Sequence, residues 1–351
     1  MEYKQDHRWW AQILQFAWVT FSVHYISWIF IPVGIYAYLY HIGYFWYAAP
    51  LIILYLPSFF DGSHLRRGRL WKGFRDYKVW HLAFGHNGVT TVRTTKLDPK
   101  KTYIFGFVPH GILVLSRVTM YGGIWPSLFP GLEYRGQSSS LSLSLSFSPA
   151  TCPSQSSPFL SVTVLGATPM FWVPLCREMC LWLGGVDASR STAENLLKSG
   201  CSLHIYPGGS KEIFETRPGS KETTLILKER LGFVKLAIRF GADLVPVVGF
   251  GEKEIYHKLH INEDVRKWFL RTLRIPLLVF WGIGPTWTPL RRPLATVFGA
   301  PIPVTKNPNP TDEEVAKLHQ LFIDETEKLF NEYKNKFPQI PGAKDQTLII
   351  K

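Results

Sequence analysis

The side chain best suited to move a proton near neutral pH stands between a proline and a glycine in this chain, at the end of an apolar run. The run is Thr102-Tyr103-Ile104-Phe105-Gly106-Phe107-Val108-Pro109-His110-Gly111. Proline cannot continue a central strand and glycine permits a sharp turn, so the pattern predicts a buried strand that presents His110 at its carboxyl end. In open α/β sheets that edge is where ligands bind. A second run, Ser202-Leu203-His204-Ile205-Tyr206-Pro207-Gly208-Gly209-Ser210-Lys211-Glu212, also ends in proline, then paired glycines and a carboxylate. Gly208 and Gly209 let main-chain N–H groups approach an oxygen or a phosphate. A third, Gly241-Ala242-Asp243-Leu244-Val245-Pro246-Val247-Val248-Gly249-Phe250-Gly251-Glu252, closes on glycines and an acid. One such strand fits a histidine that merely caps a turn. Three in series predict one shared edge of one sheet.

The elements that must position these turns are also legible. Between the second and third strands, Leu231, Val234 and Ile238 recur at helical spacing and Gly241 is a natural stop. Lys228, Arg230, Lys235 and Arg239 flank that apolar face. Each alone fits a solvated helix face; together, beside a Gly-rich turn, they could hold a phosphorylated ligand. Thr311 and Glu314 form a capping box that starts a carboxy-terminal helix, with Val315, Leu318, Phe322, Leu329 and Tyr333 on its packing face.

These turns resemble the type-2 diacylglycerol acyltransferase family. The resemblance rests on Phe105-Gly106-Phe107-Val108-Pro109-His110-Gly111, on Pro207-Gly208-Gly209-Ser210-Lys211-Glu212, and on Gly232-Phe233-Val234-Lys235-Leu236-Ala237 followed by Gly241-Ala242-Asp243-Leu244-Val245-Pro246-Val247. It runs from about Trp9 to Lys336. Two positions depart from it: Val108, where many members carry histidine or glutamate, and Lys253, where asparagine is common. The resemblance implies an α/β fold, a glycerolipid-acyltransferase-like mixed sheet with flanking helices. It implies acyl transfer from acyl-coenzyme A, as co-substrate and without a further cofactor, to the free hydroxyl of diacylglycerol.

In that reaction His110 would act as general base. Main-chain N–H groups at Pro109-His110-Gly111 or at Gly208-Gly209 would stabilise the oxyanion. No Ser or Cys sits in a nucleophile elbow, which favours direct transfer over an acyl-enzyme. Related glycerolipid acyltransferases pair the histidine with an aspartate five residues on, where this chain has Leu115. Glu212 is therefore the first candidate to orient the imidazole and Glu252 the second. Both also fit acids that satisfy a helix N-terminus. Arg217, Lys221, Lys228 and Arg230 are candidates for the coenzyme A phosphates.

Composition fits an enzyme working at a membrane. Hydrophobic residues make up 46% of the 351 positions, charged residues only 19%, and the formal net charge is +13. A basic surface suits anionic headgroups or an anionic co-substrate. Nucleic acid is not expected, because no helix-turn-helix, zinc or RNA-binding pattern accompanies the charge.

Between Arg8 and Asp61 there is no Asp, Glu, Lys or Arg. The run is long enough for two membrane spans, with breaks expected at Pro32-Val33-Gly34 and Tyr40-His41-Ile42-Gly43. Lys4 and Arg8 precede it, and Arg66, Arg67, Arg69, Lys72, Arg75 and Lys78 follow. A transmembrane hairpin over residues 1–60 with both ends in the cytosol is the expectation. His24 and His41 within it are read as polar groups satisfied by neighbours.

A basic connector (61–98), the acyltransferase domain (99–340) and a tail (341–351) follow. Residues 136–163 form a Ser/Pro-rich insert, read as a flexible loop or as translated intron sequence. The segment Ile275 to Leu290 is read as buried or interfacial. Cys176 and Cys180 share a helix face, and no zinc set is expected. The family implies an endoplasmic reticulum membrane protein with a cytosolic catalytic domain, and a place on lipid droplets as well. Homo-oligomerisation is left open.

Two other readings compete. One keeps the chemistry and changes the acceptor to monoacylglycerol, a long-chain alcohol or a lysophospholipid. The other is a non-catalytic, hairpin-anchored protein that binds or shapes lipid.

Overall fold

The computed structural model describes residues 1–134, 161–272 and 277–351. Residues 135–160, which include most of the 136–163 insert, lie outside them.

Among the described residues there are twelve strands: β1 (Val89–Arg93), β2 (Tyr103–Val108), β3 (Glu133–Tyr134), β4 (Ser161–Gly166), β5 (Gly185–Asp187), β6 (Ser202–Ile205), β7 (Glu222–Leu225), β8 (Asp243–Phe250), β9 (His257–Lys258), β10 (Phe280–Trp281), β11 (Leu294–Phe298) and β12 (Thr347–Ile350). Eight of them make one sheet in the order β1-β11-β8-β2-β6-β4-β3, with β5 also on β4. Every pairing in it is parallel except β11 on β8. The three expected strands are its centre: β2 lies between β8 and β6, parallel to both. Their carboxyl ends therefore share one edge.

Residues 161–163, read as insert, belong to β4. Residues 347–350, read as a tail, pair in parallel with β7.

Strand alternation distributes the core. Ile104 and Val108 of β2, with Leu244 and Val248 of β8, face one layer with the helices Arg190–Lys198, Gly232–Phe240 and Asp312–Tyr333. Tyr103, Phe105, Phe107, Val245 and Val247 face the other layer, with Trp80, Phe84, Trp125 and Met179. Gly106 has a steric reason. A Cβ there would stand 2.7 Å from the Phe322 ring, so glycine lets the last long helix lie on the strand. That helix begins as read, with Glu314 N–H donating to Thr311 Oγ1 and Thr311 N–H to Glu314 Oε2.

The charge-free run is where expectation and structure part. It forms three short helices, Trp9–Val23, Phe30–His41 and Ala49–Phe59, instead of two long ones. No single helix among the described residues is long and apolar enough to cross a membrane. Trp9–Val23 with Ser27–His41 passes that test as a pair bent by 82°. The first helix docks on the domain: Ala11, Gln15, Val19 and Val23, each four apart, are buried. Thr20 and Thr288 hydroxyls meet at 2.7 Å. The next two helices bury none of their residues. His24 is satisfied, its Nδ1 2.7 Å from Thr20 O and its Nε2 accepting the Trp287 N–H at 3.1 Å.

Candidate active site

His110 sits just past β2, with Tyr206 just past β6 and Glu252 just past β8. Glu212 comes from the helix Ser210–Glu215 that follows the Gly-rich turn. The chain thus brings all three predicted turns to one edge.

The imidazole Nδ1 of His110 lies 3.2 Å from Gly111 O. A carbonyl can only accept, so Nδ1 carries the proton and Nε2 keeps its lone pair. Burial and the nearby Arg117 cation hold the His110 pKa below its ordinary value, against the opposing pull of the Gly111 carbonyl. A neutral ring with a free Nε2 lone pair is the form a general base needs.

Glu212 does not orient that ring. Its Oε2 accepts the main-chain N–H of His110 at 2.7 Å, and its Oε1 accepts the N–H of Ile226 at 2.8 Å. The carboxylate is a clamp between two loops. Sequence could not separate these roles, because a proton acceptor near His110 reaches ring and main chain equally well. Glu252, the second candidate, also misses the ring; it accepts the Ser116 N–H, and the Leu115 N–H lies 3.4 Å away. Burial pushes both carboxyls up to about 7, with their main-chain donors pulling the other way.

The glycines are required for space. A Cβ on Gly208 would fall 1.9 Å from Glu212 Oε1, so only glycine lets the clamp close. Gly209 has φ +58° and ψ −154°, a conformation that L side chains avoid. Gly111 has φ +66° and would put a Cβ 3.1 Å from Glu252 Oε2.

The expected oxyanion donors need revision. Pro109 has no N–H. The His110 N–H is held by Glu212, and the Gly209 N–H by Tyr206 O at 3.0 Å. Among the described residues, the turn N–H groups not otherwise engaged are those of Gly111 and Gly208.

The four predicted cations scatter. Arg230 reaches the site: its Nη2 donates to Gly208 O at 3.3 Å, and its charge favours ionised Glu212. Arg217 lines a cleft at the far end of the Ser210–Glu215 helix. Lys221 and Lys228 are exposed.

Two residues at this edge were passed over. The Tyr206 ring stands edge-on to His110 at 5.3 Å between centroids, and its hydroxyl is buried without a hydrogen-bond partner among the described residues. Arg117 lies where its charge acts on His110, Tyr206 and Glu252, with Nη2 3.4 Å from Tyr25 Oη. Period 2 along β6 was the available signal for Tyr206, which follows Ser202 and His204 on the aromatic face. Arg117 lies in a 3-10 turn and had no periodic signal.

A neutral imidazole at the carboxyl edge of a parallel-rich sheet, beside glycine turns and a buried hydroxyl, is equipment for moving a proton during group transfer. No elbow nucleophile accompanies it among the described residues. The family model described as diacylglycerol acyltransferase matches residues 38–133 and 142–351. Mouse 2-acylglycerol O-acyltransferase 1 is 34% identical over 304 residues, 81% of this chain and 80% of that protein. Mouse acyl-CoA wax alcohol acyltransferase 2 is 32% identical over 290 residues, 78% and 75% of the two chains. Diacylglycerol O-acyltransferase 2B of Umbelopsis ramanniana is 30% identical over 332 residues, 90% and 86%. The solved 1-acyl-sn-glycerophosphate acyltransferase PlsC of Thermotoga maritima aligns with TM-score 0.38 and 15% identity, over 82% of this chain and 93% of that one. That likeness is too distant to bear on the site. The chain belongs to the diacylglycerol acyltransferase family and is an enzyme of acyl transfer, so the reading as a non-catalytic lipid-shaping protein gives way.

Proposed function

We propose that this enzyme moves a fatty acyl group from acyl-coenzyme A to the free hydroxyl of diacylglycerol, giving triacylglycerol and coenzyme A, with His110 as the base. The observation that carries the base assignment is the fixed ring: Nδ1 is turned to Gly111 O, and Nε2 is left to take a proton. Nε2 removes the hydroxyl proton as the oxygen attacks the thioester carbonyl carbon. The carbonyl pair moves onto oxygen, where the Gly111 and Gly208 N–H groups and the Tyr206 hydroxyl are the available donors. The oxyanion collapses, the C–S bond breaks, and the leaving thiolate takes the proton from the imidazolium.

Diacylglycerol as acceptor is supported by the family and by relatives named for it. The second reading, the same chemistry on monoacylglycerol or a long-chain alcohol, is favoured by other relatives' names at similar identity. We further propose that the helices Phe30–His41 and Ala49–Phe59 lie in the endoplasmic reticulum membrane, with the catalytic domain on the cytosolic side and a place on lipid droplets. Support comes from their outward apolar surface, with Phe30, Leu51 and Leu54 each 70% exposed or more.

The test uses membranes of a host unable to make triacylglycerol, expressing the parent or His110→Ala. Labelled oleoyl-coenzyme A is supplied with diacylglycerol, monoacylglycerol and a fatty alcohol in parallel. Triacylglycerol made by the parent and lost in the variant at equal protein level is the expected result. A different labelled ester would transfer the proposal to that acceptor, and no ester from well-expressed parent would end it.

A further inference from the structure

Three residues beyond Glu212 the Ser210–Glu215 helix ends, and a cleft of about 430 Å³ opens there. Phe214–Pro218 form one wall and Lys258–Ile261 another, with Glu263, Arg266, Leu277 and Leu278 closing it. Three residues of helix span roughly 4.5 Å, so the cleft begins close to the clamp that holds His110.

Its charge is lopsided. Lys258, Arg217 and Arg266 are its strong cations, and His260 adds an imidazole. Of its two acids, Glu215 is engaged by Lys351 Nζ at 2.8 Å. Lys258 is half-buried at the end of the helix, where its three N–H groups go to carbonyls: Ile213 O at 2.8 Å, Phe214 O at 2.7 Å and Thr216 O at 3.0 Å. These groups neutralise hydrogen-bonding need but not charge. The Arg266 guanidinium lies 4.9 Å from the centre of the Phe214 ring, and its forked donors suit the oxygens of a phosphate. Arg217 is exposed and lines a second, smaller cavity beside Glu215 and Lys351. Apolar Leu259, Ile261, Leu277 and Leu278 complete the lining. A cavity with two fork-shaped donors, one background charge and an apolar wall fits a phosphate group carried on a flat organic body.

We propose that this cleft binds the phosphate groups of coenzyme A, with Arg217 and Arg266 as the contacting donors and Lys258 as the fixed background charge. The proposal rests on acyl-coenzyme A being the donor substrate. It replaces the four-cation set expected from sequence: Lys221 and Lys228 drop out, Arg230 belongs to the Glu212 clamp, and Lys258 and Arg266 enter. Phosphate is also the headgroup chemistry of anionic lipids, so the test separates the two sources.

The full chain is assayed in phosphatidylcholine nanodiscs with oleoyl-coenzyme A and with its analogue lacking the 3′-phosphate. Arg217→Gln, and separately Arg217→Gln with Arg266→Gln, should raise KM for oleoyl-coenzyme A about ten-fold or more while KM for the acyl acceptor is unmoved. The parent should prefer the complete donor and the double variant should lose that preference. Binding of adenosine 3′,5′-bisphosphate to the full chain, read by displacement of a fluorescent nucleotide, is the readout independent of turnover. An inactive parent that still binds the bisphosphate through Arg217 would sink the acyl transfer reading and leave the cleft standing. An active parent whose variants keep the donor KM and the bisphosphate affinity would overturn the cleft. So would variants that lose only their binding to phosphatidic acid vesicles, which would make this a headgroup site.

Discussion

Glu212 grips the main chain of His110, at 2.7 Å from its N–H, and leaves the imidazole to the carbonyl of Gly111. The acid positions the imidazole by holding the loop that carries it. The same carboxylate fixes Ile226, so the turn after β2 and the loop after β7 share one anchor.

That anchor predicts an order among substitutions. Glu212→Ala strands two partly buried N–H donors, each costing up to about 1–3 kcal/mol. Glu212→Gln keeps one acceptor and turns an amide N–H₂ toward the other donor. Stability should fall as parent, Gln, Ala in denaturant unfolding, with kcat following. An alanine variant as stable as the parent would mean the clamp does not hold.

Two adjacent glycines should fail for different reasons. Gly208→Ala drives a methyl into Glu212 and should abolish both activity and correct folding. Gly209→Ala meets no neighbour within 4 Å and faces only backbone strain, about 1–3 kcal/mol. It should fold with a lowered Tm and keep part of its activity. Equal damage from both would refute the packing argument.

Tyr206→Phe removes one oxygen that has no hydrogen-bond partner among the described residues. A hydroxyl serving only structure would then be missed by nothing, and Tm should stay or rise. If the hydroxyl donates to the oxyanion, kcat should drop about 100-fold with little change in KM. Unchanged kcat would remove Tyr206 from the mechanism.

The His110 pKa is depressed below 6.5, so the base is neutral through the neutral range and its acid limb in kcat/KM belongs below pH 6.5. A limb near 7 would come from Glu212 or Glu252, and Glu252→Gln tells them apart. Glu252 is raised from 4.5 to about 7 in the folded state. Its contribution to stability is therefore full below pH 4.5 and lost as pH rises through 7. The Tm advantage of the parent over Glu252→Gln should shrink across that interval. An advantage that grows with pH would reverse the assignment.

The sheet edge that carries His110 is legible in the sequence because its signals are local. Proline and glycine after an apolar run report a strand end wherever they occur, and β2, β6 and β8 prove adjacent as the shared pattern required. What failed was partner choice, which depends on distances between loops. Glu212 was placed near His110 correctly and given the wrong atom. Lys253 appeared only as a departure from a pattern; in the fold its Nζ reaches Ser220 O at 2.5 Å and Glu222 O at 2.9 Å, tying the segment before β7 to the turn after β8. The amino-terminal run was read by length and absence of charge. Neither property reports where a chain bends, and it bends twice into three helices.

β12 carries a practical warning about small deletions. Ile349 and Ile350 pair with Thr224 and Leu225, one residue short of the Ile226 N–H held by Glu212, and Lys351 O accepts the N–H groups of Leu227 and Lys228 at 2.9 Å each. Clipping residues 347–351, none of them near the imidazole in sequence or a candidate for chemistry, would unseat one side of the Glu212 anchor. An enzyme trimmed this way should read as catalytically dead while every residue of its chemistry is intact.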